Sequence, residues 1–148
     1  MRSRNSLETL RDITALRTAQ VDLATQALQQ ADTSWTNARR QRDDACRERD
    51  AAADNWLTVL QSRSLDPSLA SLSGQWLVDR EAALRSATLS ETIAQSNRDT
   101  AASTLAQRHA ELDTSREIAT RVKRGIDKRN EEARALELAD SHLRKRSI

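Results

Sequence analysis

The chain has 148 residues and a net charge of +2, with 31% charged side chains, no Phe or Tyr, two Gly and one Pro. A compact globular domain needs large apolar side chains and frequent turn residues, and this composition supplies few of either. Disorder is the other state open to a polar chain, but disordered segments seldom lack Pro and Gly so completely. The composition therefore predicts long α-helices with a polar surface.

The first predicted element is a helix over about residues 5–61. Steps of three and four residues trace two columns of a seven-residue repeat from Leu7 to Val59. One column carries Trp35 and Trp56, three heptads apart, and the other contains five alanines: Ala24, Ala31, Ala38, Ala45 and Ala52. A strict seven-residue repeat predicts a left-handed supercoil, and small residues in the seam predict a close approach of the partner helix.

The next segment, SRSLDPSLASLSG at residues 62–74, is the predicted bend, because it holds the only Pro and one of the two Gly. Asp66 before Pro67 is typical of a helix start. Gly74 is typical of a helix end, which leaves room for one short helix inside the bend.

The second predicted helix covers about residues 75–145, with a register from Leu77 to Leu143. Gly125 stands alone among helix formers, so we expect it to cost about 1 kcal/mol without ending the helix. At 1.5 Å per residue, the two helices are expected to be about 85 and 110 Å long. The longer second helix is predicted to project past the first, together with the basic residues near its end.

Two helical arms around one bend predict an all-α fold, an antiparallel coiled-coil hairpin that forms a single domain over residues 1–148. Folding about residue 68 would oppose Ala52 to Leu84, whereas folding about residue 66 would stack Ala38 on Ala94. Both registers explain the alanine column, and the sequence leaves the choice open.

The middle of the predicted seam is polar, since Arg42, Arg49, Glu91 and Arg98 occupy core positions of the repeat. In both registers Glu91 lies within about one turn of Arg42 or Arg49. Such groups are expected to specify the register at some cost in stability.

Catalytic and metal-binding motifs are missing from the sequence. His109 and His142 are 33 residues apart on one predicted helix, and the lone Cys46 reads as a small seam filler because no His is near it. We therefore expect no enzymatic activity, no catalytic or metal-binding residue and no cofactor. The arginines alternate with acidic residues, so nucleic-acid binding is not expected.

The sequence also lacks the apolar run of about 18 residues that a membrane span requires. Its opening, MRSRNSLETL, has no apolar stretch long enough for a secretory signal. We therefore expect a cytoplasmic protein that does not insert into a membrane.

Two groups of residues remain as candidates for partner binding. At the bend, the apolar stripe containing Leu69, Leu72 and Trp76 could form a docking patch, or Trp56, Trp76 and Leu77 could simply seal the tip of the hairpin. At the other end of the second helix, the basic run consists of Arg144, Lys145 and Arg146. Such a run is also favoured at any helix C-terminus by the helix dipole.

The opening SLETLRDITALRTAQVDLATQALQQA, together with the length and the Arg/Ala/Gln/Glu character of the chain, resembles the stalk proteins of type III secretion and flagellar export. This is the YscO/SctO/FliJ-like family, with its counterparts in plant-pathogen Hrp systems. The resemblance implies a cytoplasmic, non-enzymatic hairpin at the inner-membrane export apparatus. Its paired termini would enter a hexameric secretion ATPase, while the export gate or secretion chaperones would be further partners. The alternative is a structural coiled-coil scaffold with no link to an ATPase.

Overall fold

The computed structural model describes the backbone of residues 2–147 and the side chains of residues 5–147. It contains two helices, α1 (Arg2–Leu60) and α2 (Pro67–Arg146), which are joined by residues 61–66. The two helices pack against each other as a helical hairpin, and the described residues contain no strand. The predicted all-α hairpin is therefore confirmed.

The second helix begins earlier than the sequence predicted, at Pro67 rather than near residue 75. Asp66 provides the predicted N-cap, because its Oδ1 accepts a hydrogen bond of 2.9 Å from the backbone N–H of Ser68. Gly74, which was expected to end a short helix, lies inside α2 and has no positive φ. The sequence left room for a separate short helix at the bend, but none forms, because nothing interrupts the helix that Asp66 starts.

The chain divides into two compact units. Unit 1 contains residues 1–24 and 105–148, and unit 2 contains residues 25–104. Each unit therefore takes one part of α1 and one part of α2. Unit 2 also contains the bend.

The contact surface of α1 is the predicted one. Every position of its two columns from Leu7 to Val59 is buried or half-buried. Ala52 is 0% exposed, and Ala24 and Ala38 are also buried. Among the described side chains no large one is fully buried, so packing rests on small residues and on the parts of larger ones that reach the seam.

The contact surface of α2 follows the predicted repeat only as far as Ile126. From Leu77 to Ile126 the repeat positions are buried or half-buried, and residues 127–147 are all exposed. The later members of the predicted columns, Ala133, Leu136 and Leu143, are therefore exposed, although they keep the heptad spacing.

The cross-helix contacts of unit 2 discriminate between the two registers. The residue numbers of its contacting pairs, such as Arg42–Glu91 and Asn55–Ser73, add up to between 128 and 133. Folding about residue 66 requires a sum near 132, whereas folding about residue 68 requires 136. The structure therefore lies closer to folding about residue 66. Ala38 and Ala94, which this register stacks, are both buried.

Replacement of Ala52 by Leu tests whether the alanine column controls the approach of the helices. Because Ala52 is fully buried in unit 2, we expect the larger side chain to destabilise the protein by about 1–3 kcal/mol. The neighbouring Ala51 is exposed on the same helix, so Ala51→Leu is the matched control and should change stability by less than about 0.5 kcal/mol. Urea unfolding followed by circular dichroism measures both. Equal effects would contradict a tight seam at Ala52.

Candidate partner-binding surfaces

The first candidate surface lies beside the bend in unit 2. Leu69, Leu72 and Trp76 follow one another at steps of three and four residues, so they share one face of α2. All three are exposed, with Leu72 at 70% and Trp76 at 40%. The structure therefore brings together, on one exposed face of α2, the three apolar residues that the sequence singled out.

The seam near the bend is closed by Trp56. A Cβ atom placed on Gly74 would lie only 3.2 Å from Trp56 Nε1, so the absence of a side chain at this position lets the indole pack against α2. Beside it, Asn55 Nδ2 donates a hydrogen bond of 3.4 Å to Ser73 Oγ. The predicted seal of Trp56, Trp76 and Leu77 is formed only in part, because Trp76 stays exposed.

The second candidate surface is the basic end of α2 in unit 1. Arg144, Lys145 and Arg146 occupy the last turn of the helix and are exposed. Positive charge is favourable there because the last carbonyl groups of a helix carry partial negative charge. The backbone carbonyl of Arg144 accepts a hydrogen bond of 3.1 Å from Ser147 Oγ.

The polar seam of unit 2 contains an ion pair between two of the charged core positions that the sequence placed within about one turn of each other. Arg42 Nε lies 3.1 Å from Glu91 Oε2, across the two helices. Arg49 does not share this carboxylate and instead lies 2.9 Å, Nε to Oδ1, from its neighbour Asp50. The Asp50 carboxylate raises the pKa of Arg49 above its usual value.

A cation–π cluster surrounds Trp35 in the same unit. The guanidinium carbons of Arg39 and Arg98 lie 5.0 Å and 4.6 Å from the centroid of the Trp35 ring. Arg98 also forms an ion pair with Asp32. The guanidinium of Arg98 on α2 therefore contacts both the indole of Trp35 and the carboxylate of Asp32 on α1. The polar seam of unit 2 therefore holds the helices together through arginines of both helices.

The corresponding contact in unit 1 centres on Glu111. Its Oε2 accepts hydrogen bonds from Arg17 of α1, at 2.8 Å, and from Arg108 of α2, at 3.0 Å. The hydrogen bond from Arg108 is the main reason that the pKa of Glu111 lies below its usual value, and the charge of Arg17 lowers this pKa further.

The sequence did not identify Asp32 and Glu111 as partners across the seam. A signal was present, because Asp32 follows Ala31 and Glu111 precedes Leu112, and both neighbours are core positions of the repeat. Charged residues that flank such positions are the ones that pair between helices in coiled coils. Choosing their partners requires the register, which the sequence left open.

The His and Cys side chains, which could act in catalysis or metal binding, lie far apart in the described sequence. His109 and His142 are exposed, and the half-buried Cys46 has its Sγ 4.0 Å from Asp50 Oδ2. Within residues 5–147 no three His, Cys, Asp or Glu side chains are grouped so that they could hold a metal ion. A search of the described helices also finds none that is both long and apolar enough to cross a membrane.

Comparisons of the chain with protein-family models, with curated proteins and with solved structures found no match.

Replacement of Glu111 by Gln tests, through the pH dependence of stability, the contacts of this carboxylate with Arg108 and Arg17 in unit 1. Because the pKa of Glu111 is lowered in the folded chain, its carboxylate stabilises the fold above its unfolded pKa, and this contribution is lost as the pH falls through the lowered value. We therefore expect Glu111→Gln to unfold at lower urea concentration than the parent at pH 7, with the difference closing at a pH below the lowered pKa of Glu111.

Glu131→Gln is the matched control for this experiment, because Glu131 lies in the exposed segment 127–147. Its urea midpoint should equal that of the parent at both pH values. A difference between Glu111→Gln and the parent that stays constant with pH would show that the carboxylate charge is not what stabilises unit 1.

Proposed function

We propose that this chain is a non-enzymatic stalk protein that couples a hexameric secretion ATPase of the type III or flagellar kind to its export gate. The observation that carries the proposal is the helical hairpin whose second helix continues into an exposed segment, residues 127–147, with a basic last turn. A single exposed helix has a diameter of about 10–12 Å with its side chains. We propose that this single helix enters the ring of the ATPase.

The basic last turn is the proposed contact with the ATPase. Arg144, Lys145 and Arg146 carry three adjacent positive charges on an exposed helix end. Charges of this kind steer association toward an acidic surface and set the orientation of the bound helix. The resemblance of the sequence to export stalk proteins supports the same partner.

The apolar surface at the bend is the proposed contact with the export gate or with secretion chaperones. Leu69, Leu72 and Trp76 supply exposed apolar area, and a tryptophan is among the residues that contribute most to binding energy at interfaces. This role places the protein in the cytoplasm, bound peripherally to the export apparatus at the inner membrane.

The stalk proposal is tested with the cognate secretion ATPase. We expect the purified chain to raise ATP hydrolysis and to promote assembly of the ATPase ring. Changing Arg144, Lys145 and Arg146 together to Glu should return the hydrolysis rate to that of the ATPase alone, because the attraction between the helix end and the ring is reversed.

The matched control changes three exposed basic residues elsewhere, Arg11, Arg40 and Arg63, to Glu. It alters the net charge by the same amount and should keep the stimulation. If the parent chain has no effect on hydrolysis or on assembly, the stalk proposal fails.

A structural coiled-coil scaffold is the second candidate, and the small core favours it, since chains with few large buried side chains are commonly stabilised by a partner. In a scaffold the bend opens, and α1 of one chain pairs with α2 of another. Asn55 and Ser73 face each other across the helices. Cysteines at these two positions, in a variant that also carries Cys46→Ser, can therefore be crosslinked by a short bismaleimide. The crosslink shows whether the paired helices belong to one chain or to two.

For the stalk we expect this crosslink to form within one chain, leaving a monomer on a denaturing gel. The scaffold instead yields covalently linked dimers. A variant with Cys46→Ser alone is the control and should not react.

A further inference from the structure

The heptad repeat of α2 continues beyond the part of the helix that packs against α1. Its core positions after Val122 are occupied by Ile126, Arg129, Ala133, Leu136, Asp140 and Leu143. Ile126 is half-buried and the other five are exposed, with Leu136 at 68% and Leu143 at 66%. Unit 1 therefore carries five exposed core positions of a coiled-coil repeat, from Arg129 to Leu143.

A parallel partner of the same sequence does not suit this seam. An in-register parallel pair would set Arg129 against Arg129 of the second copy and Asp140 against Asp140. Like charges at facing core positions repel each other, and burial strengthens the repulsion because water no longer screens them.

An antiparallel partner of the same sequence suits every position. In one antiparallel register, the residue numbers of each facing pair add up to 269. Each layer of the seam then contains one residue from each of the two columns of the heptad repeat, as in antiparallel coiled coils. Arg129 then faces Asp140 of the second copy, Ile126 faces Leu143, and Ala133 faces Leu136. Opposite charges meet, and a small residue meets a large one, as close packing requires.

We propose that the exposed segment of α2, residues 127–147, together with Ile126, binds the same segment of a second copy in this antiparallel arrangement. The interface is two-fold symmetric, so each of the three pairs occurs twice and the seam has six layers. The inference does not rest on the proposed function, because it concerns the isolated chain.

The residues that flank the layers are compatible with this arrangement. Asn130 faces Glu137 of the second copy, and Glu132 faces Ala139, so no like charges adjoin the central layers. Like charges meet only at the two ends, where Lys123 faces Arg144. Both side chains are exposed, and salt screens their repulsion.

The association is measured by sedimentation velocity of the full chain between about 1 and about 500 μM, a range that covers weak self-association. The parent chain should shift from monomer to dimer over this range. Arg129→Asp and Asp140→Arg should each weaken the dimer by about tenfold or more, because each sets like charges against each other in two layers.

An equimolar mixture of the two variants is the decisive sample. In the mixed dimer the two introduced charges face each other, and so do the two native ones, so we expect dimerisation to return to the level of the parent. Arg134→Asp is the matched control, since Arg134 is exposed and lies outside the seam positions; it should dimerise as the parent does. Circular dichroism of each variant checks that helicity is unchanged.

Two results would overturn the proposal. One is a parent chain that stays monomeric over the whole range. The other is a dimer that neither Arg129→Asp nor Asp140→Arg weakens, which would mean that the copies meet through another surface, such as the apolar one at the bend, or through exchanged helices.

Discussion

The close approach of two helices along a column of alanines is the constraint on which the rest of this structure depends. Ala24, Ala38 and Ala52 are buried on α1, and Ala94 is buried on α2. Because these side chains are small, the long polar side chains that flank them reach across to the other helix. Ion pairs such as Arg17–Glu111 and Arg42–Glu91 form across the two helices. The small residues of the seam and the arginine contacts across the helices therefore depend on each other.

A core of this kind gives specificity more than stability. Small apolar residues gain little free energy on burial, at about 25 cal/mol for each Å² of apolar surface removed from water. Partly exposed ion pairs add little each, because water screens them. They are nevertheless selective, since a shift of the helices by one heptad would place Leu10 or Ala24, instead of Arg17, opposite Glu111. The bend adds a second restraint through Trp56, which packs where Gly74 carries no side chain.

The proposed binding surfaces lie outside this seam. In unit 2 the residues Leu69, Leu72 and Trp76 stand beside the seam and leave an apolar face uncovered. In unit 1 the described part of the seam ends at Ile126, and the exposed residues 127–147 keep its spacing. A repeat that continues past its own partner is a physical reason to look for another helix. The proposed ATPase contact and the proposed self-association both use this segment, so binding of one is expected to exclude the other.

Local sequence determined the helices themselves. The scarcity of Gly and Pro predicted two long helices, the heptad columns predicted every buried position of α1 from Leu7 to Val59, and Asp66 with Pro67 marked the true start of α2. Gly74 is typical of a helix end in local sequence, but it lies inside α2, where the missing side chain makes room for Trp56 of α1. The tertiary structure decided the register, the partners of Asp32 and Glu111, and the residue at which the seam stops. These depend on which residues face each other across the hairpin, and a repeat of seven is satisfied equally well after a shift along the helix.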